Sequence, residues 1–178
     1  MRADKSAPDI AGVDASAFSN GSVSLDGQAG HDTLLGGWGD DFLEGADGHD
    51  FLDGGPGHDT YLFDADTDLG IDAVSEAVAG GTDTLDYSAT TDSIVTVNLG
   101  IGALQVAALS QTAIVQHQLF LSPNIENLTG GALHDLLTGN SVQNVLSGGR
   151  GNDVLIGLGS DDILIGGDGD DTYRFDAD

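Results

Sequence analysis

The chain has 178 residues with no cysteine, and 30 acidic residues against four lysines and arginines give a formal net charge of -26. So acidic a surface argues against nucleic acids and anionic membranes as partners. The sequence also lacks a disulfide framework, an apolar run of the ~18 residues that span a membrane, and a signal-peptide core near its start. A solvated acidic face is the ordinary explanation of such a charge, so the positions of the acids decide whether they bind something.

A nine-residue pattern fills residues 27–62. Its copies, 27–35, 36–44, 45–53 and 54–62, align without a gap, and GGWGDDFLE at 36–44 shows the pattern in full. We number its places one to nine, with glycine at one, two and four, an acid at six and a large apolar residue at eight. Repetition with this period predicts a solenoid. We predict that the weakly patterned residues 1–26 cap its first coil.

Each repeat is predicted to be a turn followed by a short strand. Glycines at three of the first six places fit a backbone that adopts positive φ or passes close to another group. Places seven to nine, such as Phe42, Leu43 and Glu44, are rich in strand formers, and place eight points away from its neighbours. Two repeats then close one coil, so repeats n and n+2 stack directly on each other.

The acids at place six would therefore stack. Parallel strands lie about 4.8 Å apart, and two carboxylates at that separation repel by about 3 kcal/mol at an effective dielectric of 20. A cation between them converts this cost into a binding site. Carboxylates and turn carbonyls are hard donors in a flexible turn, which favours calcium, while magnesium needs tighter octahedral geometry.

Residues 63–129 interrupt the pattern without resembling a helical domain. Three segments, in which apolar and polar residues alternate or strand formers dominate, are predicted strands: 84–87, 94–99 and 113–121. The pattern of 103–110 fits a strand or a short helix. We predict an irregular β insert that continues the solenoid with wider coils. Asp83 and Asp86 are candidate additional calcium ligands, or else they cap turns.

The pattern returns in five further copies at 130–138, 139–147, 148–156, 157–165 and 166–174. The place-six residues of both blocks are the predicted metal ligands: Asp32, Asp41, Asp50, Asp59, Asp135, Asn144, Asp153, Asp162 and Asp171. Place eight is leucine except at Tyr61 and Tyr173, which predicts a single apolar stripe as the core.

The repeats GGWGDDFLE and GGRGNDVLI resemble the RTX nonapeptide of haemolysin-type calcium-binding proteins. GGTDTLDYSATTDSIVTVNLG, in the insert, is also similar to the irregular stretch within the RTX regions of serralysin-type secreted proteases. The resemblance implies an all-β, right-handed parallel β-roll in which repeats n and n+2 share each Ca2+. It also implies secretion from a Gram-negative bacterium through a one-step type I exporter.

Carried onto this sequence, the resemblance pairs Asp32 with Asp50, Asp41 with Asp59, Asp135 with Asp153, Asp153 with Asp171, and Asp162 with Asn144. The implied backbone carbonyl ligands are Gly36, Trp38, Gly55, Gly57, Gly148, Arg150, Gly167 and Gly169. About four or five ions would offset roughly a third of the charge imbalance. Asn144 is expected to be a weak ligand because it brings no charge. The turns with Leu133, or with Leu158 and Ser160, depart from the glycine pattern, so we expect them to bind weakly or not at all.

Two further patterns bear on partners. GHDTYLFDAD at 57–66 returns as GDDTYRFDAD at 169–178, which is 112 residues later and suggests a larger array with an end open to self-association. Four histidines occupy place five: His31, His49, His58 and His134. A transition-metal site between His31 and His49 is one interpretation, and solvated outward side chains are the one we favour.

No metalloprotease, serine-hydrolase or phosphate-binding motif is present, and no cysteine nucleophile. We therefore predict a non-catalytic calcium-binding module of a secreted RTX protein, which folds on binding calcium after type I secretion. The alternatives are a stalk or ligand-binding segment of a large RTX adhesin, or an ancillary region of a secreted hydrolase or epimerase. We expect residues 1–26, 27–62, 63–129 and 130–178 to form one continuous solenoid.

Overall fold

Short strands joined by glycine-rich turns make up the protein. The computed structural model describes residues 12–17, 21–77, 81–103, 105–110, 116–122 and 124–175. All 19 elements in these ranges are strands. No helix in this part of the chain has the length and apolar character needed to cross a membrane.

The strands form two long sheets and one short one. The first sheet contains, in spatial order, β1 (Val13–Asp14), β4 (Thr33–Leu35), β7 (Phe51–Asp53), β9 (Ile71–Ser75), β13 (Gln116–Leu121), β12 (Gln105–Ser110), β11 (Ser93–Asn98), β15 (Leu136–Thr138), β17 (Val154–Ile156) and β19 (Thr172–Arg174). The second contains β18 (Ile163–Asp168), β16 (Val145–Arg150), β14 (Asn127–Thr129), β10 (Thr84–Asp86), β8 (Thr60–Leu62), β5 (Phe42–Glu44) and β2 (Ser24–Asp26). The short sheet pairs β3 (Ala29–Gly30) with β6 (Asp47–Gly48).

Consecutive repeats place their strands in opposite sheets. In the first sheet β4 is parallel to β7, with Leu34 opposite Leu52. In the second sheet β5 is parallel to β8, with Leu43 opposite Tyr61, and β2 lies on the other side of β5. Repeat n+2 therefore stacks directly on repeat n, and the predicted all-β fold with long parallel sheets is confirmed.

The insert continues the second sheet and folds back on itself in the first. β10 pairs in parallel with β8 on one side and β14 on the other. In the first sheet, by contrast, β11 and β12 are antiparallel, as are β12 and β13. The undecided segment 103–110 thus contains a strand, and residues 113–115 of the predicted strand at 113–121 lie outside the described residues. Short connections join these three strands, and a short connection permits antiparallel pairing but not a parallel crossover.

Place eight forms the core, as the leucine spacing predicted. Seven of its side chains are fully buried: Leu34, Leu43, Leu52, Tyr61, Leu137, Leu146 and Leu155. Leu164 is only partly buried, and Tyr173 in the last strand is 44% exposed. The insert adds an aromatic group in which the Phe63 ring lies 5.1 Å from that of Tyr87 and 4.8 Å from that of His117. The apolar stripe therefore runs through both blocks and the insert.

Glycines in the turns meet two different needs. At places two and four, Gly37 and Gly39 have φ angles of 111° and 115°, which other residues rarely adopt. At place one Gly54 has no positive φ, but a Cβ there would lie 2.3 Å from Asp59 Oδ2. Leu158 and Ser160 adopt φ angles of 68° and 85° at places two and four, so this turn keeps the shape at a cost in backbone strain.

Candidate metal centre

The place-six carboxylates join one coil to the next. Asp50 Oδ1 accepts a hydrogen bond from the backbone N–H of Asp32 at 2.8 Å, and Asp59 Oδ1 accepts one from Asp41 at 2.7 Å. The other three predicted pairs make the same contact: Asp135 with Asp153, Asp153 with Asp171, and Asn144 with Asp162. The structure therefore brings all five pairs together. We call this series of stacked place-six residues the place-six ladder.

The second oxygen of several ladder carboxylates has no donor. Asp50, Asp59 and Asp153 are at most 3% exposed, and their Oδ2 atoms are buried without a hydrogen-bond partner. Burial, helped by the charges of neighbouring aspartates, raises the pKa of Asp50 and of Asp59 to about 7. A buried carboxylate oxygen of this kind needs a cation or a proton. Since Ca2+ takes carboxylate oxygens, these residues fit it well.

Basic side chains contribute little to this neutralisation. Arg150 and Arg174 are exposed. Within the ranges that the structure describes, His117 Nε2 lies 3.1 Å from Oδ2 of the buried Asp72. Most of the compensating charge for the ladder must therefore come from solution.

The ladder continues into the insert. Asp72 Oδ1 accepts a hydrogen bond from Asp50 N–H at 2.8 Å, and Asp83 Oδ1 accepts one from Asp59 N–H at 2.9 Å. Glu126 Oε2 in turn accepts from Asp83 N–H at 2.9 Å. On the second-sheet side these contacts carry the ladder as far as Glu126, and the Asn144 amide of the second block then donates a hydrogen bond to the Glu126 carbonyl at 2.8 Å.

Sequence reasoning had singled out only part of this continuation. Asp83 takes a ladder position, whereas Asp86 caps a turn by accepting a hydrogen bond from Ser88 N–H at 2.8 Å. Asp72 and Glu126 were missed, because their spacings of 22 and 43 residues from the preceding ladder member break the 18-residue count. An available signal for Glu126 was its position directly before a short strand, which the place-six residues share.

Asn144 holds its ladder position with a neutral side chain. It is fully buried, its Oδ1 accepts from Asn140 N–H at 2.8 Å, and its Nδ2 donates to the Glu126 carbonyl at 2.8 Å. Both polar atoms of the amide are thus satisfied within the protein. The Asn144 side chain therefore does not itself need a cation, and weak binding at this step stays a prediction.

The predicted carbonyl ligands lie in two kinds of backbone. Those of the first block are in turns: Gly36, Trp38, Gly55 and Gly57. In the second block Gly148 and Arg150 lie within β16, Gly167 within β18, and Gly169 directly after it. The Gly148 carbonyl oxygen and Asp135 Oδ2 both lie within 2.6 Å of the position that a Cβ on Gly130 would take. A place-one carbonyl thus meets the place-six carboxylate of the coil below.

A place-one carbonyl lies beside a place-six carboxylate in the first block as well. The Gly54 carbonyl oxygen lies 2.6 Å, and Asp41 Oδ2 2.4 Å, from the position of a Cβ on Gly36. The sequence had pointed to Gly36 and Trp38 in this turn but not to Gly54. The carbonyl of the upper coil is therefore a further oxygen that could accompany the carboxylate around an ion.

Place five carries a second line of contacts. The Nδ1 atom of His31 accepts a hydrogen bond from His49 N–H at 3.0 Å, and the two rings stack with centroids 4.8 Å apart. His58 and His134 accept in the same way from Thr82 and Asn152. A neutral imidazole that accepts at Nδ1 carries its proton on Nε2. A metal bound at Nε2 would require the opposite tautomer, so these contacts disfavour the transition-metal interpretation.

Long parallel sheets with buried carboxylates stacked from coil to coil define a β-roll of acidic repeats. The family model of the RTX calcium-binding nonapeptide repeat matches the chain in four copies, at residues 19–43, 26–61, 35–69 and 138–173. The chain belongs to this RTX repeat family, whose members bind Ca2+, as its nonapeptides had predicted. The matched domain is a non-catalytic repeat. No curated protein matches the chain.

Proposed function

We propose that this chain is a non-catalytic calcium-binding module of a secreted RTX protein, and that it folds when it binds calcium outside the cell. The observation that carries the proposal is the place-six ladder, in which buried carboxylates stack from coil to coil with few basic partners. Calcium, when bound, supplies the positive charge that the ladder lacks.

The residues explain why folding would depend on that charge. Without cations the ladder carboxylates must either remain protonated or repel one another inside the roll. The chain also has 28 glycines, which lose much conformational entropy on folding. With cations present, the same carboxylates and the nearby turn carbonyls hold successive coils together. We propose about four or five ions, and the place-six residues named above as their ligands.

The family supplies the cellular setting. RTX proteins are associated with type I secretion, so we propose an extracellular or cell-surface location and an exporter that acts on the parent protein. Extracellular calcium sites have dissociation constants of roughly 0.1–1 mM, which separates the cytosol from the medium. The chain would cross as an unfolded polymer and fold afterwards. The net charge of -26 disfavours nucleic acids and membrane insertion as part of this role.

We also propose that residues 1–26, 27–62, 63–129 and 130–178 act as one continuous solenoid. Two observations support this continuity. The second sheet is unbroken, and Asp83 and Glu126 make ladder contacts within the insert. In such a solenoid the stability of each coil depends on its neighbours. The insert then transmits order between the two nonapeptide blocks.

A second candidate function is a stalk segment of a large RTX adhesin. The decapeptide repeated at 57–66 and 169–178 favours it, because both copies make the same contact. Gly54 N–H donates to the Tyr61 hydroxyl at 2.7 Å, and Gly166 N–H donates to the Tyr173 hydroxyl at 3.0 Å. Units that repeat in this way suit an extended array, in which self-association through exposed ends would also occur. Pulldown on cells or polysaccharide distinguishes this role from a folding module.

Far-UV circular dichroism during a calcium titration of the chelated chain tests the main proposal. We expect a cooperative gain of β signal near 0.1–1 mM calcium and none with magnesium at equal concentration. A chain whose spectrum is the same in chelator and in calcium would rule out calcium-dependent folding. Calcium would then only join neighbouring turns of a chain that is already folded without it.

A further inference from the structure

Three buried carboxylates cluster where the first nonapeptide block meets the insert. One oxygen from each of Asp59, Glu76 and Asp83 lies within 4.8 Å of the others, and the residues are 1%, 6% and 0% exposed. Asp59 and Asp83 are consecutive members of the place-six ladder, but Glu76 is not. Within the described ranges this is the one group in which three candidate metal ligands meet.

Glu76 stands where the nonapeptide repeats have glycine. Ser75 lies opposite Asp53 in the paired strands, so the next residue, Glu76, corresponds to Gly54 at place one. Its side chain reaches the coil below, where Oε1 accepts a hydrogen bond from the Tyr61 hydroxyl. That hydroxyl is itself held by Gly54 N–H at 2.7 Å. The tyrosine at place eight, where most repeats have leucine, therefore positions Glu76.

Each of the three carboxylates is fixed through one oxygen and leaves the other unused. Asp59 Oδ1 accepts from Asp41 N–H, Asp83 Oδ1 accepts from Asp59 N–H, and Glu76 Oε1 accepts from Tyr61. Asp59 Oδ2, Glu76 Oε2 and Asp83 Oδ2 are buried with no hydrogen-bond partner. Backbone and phenol contacts thus preorganise three side chains whose remaining acceptors have no donor in the protein.

The cluster concentrates more negative charge than an ordinary step of the ladder. Three carboxyl groups meet here, whereas the ladder pairs described above bring two together. Calcium affinity rises with the number of charged ligands and with the rigidity of the site. A third carboxylate held in place therefore makes this step the most favourable position for a cation.

We infer that Asp59, Glu76 and Asp83 form the tightest cation site of the roll, which fills with one calcium ion, or one lanthanide ion, before the two-carboxylate steps fill. The inference rests on the proposed function and specifies where calcium binding begins. Order would then spread from the junction of the first block and the insert toward both ends.

Calorimetric calcium titration of the full chain tests the order of filling. The wild-type chain should show one tight step followed by a weaker set. In Glu76→Gln the tight step should weaken at least tenfold while the weaker set persists. Glu44→Gln is the matched control, because Glu44 is a partly buried glutamate on β5 outside the cluster and the charge change is the same. Its titration should match the wild type.

Terbium luminescence gives an independent readout that does not depend on the folding of Glu76→Gln. The Tyr61 phenol contacts Glu76, so it should sensitise the first equivalent of terbium bound to the wild-type chain. Tyr61→Phe should remove most of that emission. Tyr173→Phe should not, because Tyr173 makes the equivalent contact with Gly166 but belongs to no three-carboxylate group.

The outcomes separate this inference from the proposed function. A wild-type chain that takes up no calcium contradicts both. Normal calcium uptake with superimposable titrations for the wild type and Glu76→Gln overturns the tight site alone. If Glu76→Gln does not fold in saturating calcium, first-equivalent emission that survives Tyr61→Phe overturns it instead.

Discussion

Place one of the repeat is glycine because the turn has no room there for a side chain. Glycine there leaves room for the place-six carboxylate of its own repeat to fold back, as Asp59 does beside Gly54. The same space brings a carbonyl of the upper coil next to a carboxylate of the lower one. Glycine at this place thus creates the oxygen-rich pocket, whereas glycine at places two and four supplies the positive φ of the turn.

Gly54→Ala should therefore destabilise the calcium-loaded roll by roughly 1–3 kcal/mol, the usual cost of overpacking. The new Cβ would lie 2.3 Å from Asp59 Oδ2 and would force that carboxylate out of position. Urea denaturation in saturating calcium measures the free energy of unfolding.

Gly159→Ala is the matched control for this substitution. Gly159 lies at place three, has no positive φ, and a Cβ there would have its nearest neighbour at 3.8 Å. We expect its free energy of unfolding to stay within about 0.5 kcal/mol of the wild type. Equal losses in the two variants would show that space at place one is not the governing factor.

Among the elements of the roll, the strands at places seven to nine of the nonapeptide blocks were predictable, and those of the insert were less so. The prediction that places one to six are turns was wrong for β16 and β18, which extend into places one to three. A strict period reveals which side chains stack, so Asp32 and Asp50, or Leu34 and Leu52, could be paired by counting. The insert has no period, so its ladder members Asp72 and Glu126 could not be found by counting and are identified by their hydrogen bonds to Asp50 and Asp83. The hairpins of β11, β12 and β13 depend on long-range pairing that local pattern does not encode.

The charge of one ladder residue, at the centre of the second block, affects both the stability of the calcium-free chain and calcium binding. A single substitution separates the two effects. Asp153 lies between Asp135 and Asp171, and burial raises its pKa. Asp153→Asn keeps the size and the acceptor oxygen but removes the charge. We expect the calcium-free chain to gain stability, on the order of 1 kcal/mol, because a buried charge without a partner is lost. Calcium binding by the same variant should weaken at least tenfold.

Circular dichroism in chelator and during calcium titration measures both effects of Asp153→Asn. Asp161→Asn provides the control, since it makes the same charge change at an exposed place-five residue. It should alter neither quantity appreciably. If calcium bound to Asp153→Asn as tightly as to the wild type, the charge of Asp153 would have no role in calcium binding.

At the scale of the whole molecule, protons and calcium compete for the same carboxylates. Burial raises the pKa of Asp50, Asp59 and Asp135 from the usual 3.8 to about 7. Between these values the folded calcium-free chain holds protons that the unfolded chain has released. The stability that these three groups contribute is therefore fully present below about pH 4 and is lost as the pH rises through 7.

We therefore expect the calcium-free chain to lose β signal and thermal stability as the pH rises from about 5 to 8, because the folded-state pKa values lie near 7. In saturating calcium this loss should disappear, since the ion replaces the protons. Thermal melts monitored by circular dichroism at a series of pH values check both expectations. A calcium-free chain that became more stable over this range would contradict the assignment of the ladder as buried acids.

The stacking of coils by hydrogen bonds between neighbours also has a consequence for the mechanics of the protein. A force that pulls the two ends apart detaches an outermost coil first, because that coil is held by one neighbour while inner coils are held by two. Each 18-residue coil that detaches adds about 60 Å of extension, and the 43-residue coil of the insert adds more than twice that. An ion that joins two carboxylates of adjacent coils opposes each detachment separately. The roll would therefore lengthen in discrete steps, and the calcium concentration around it would determine the force at which each step occurs.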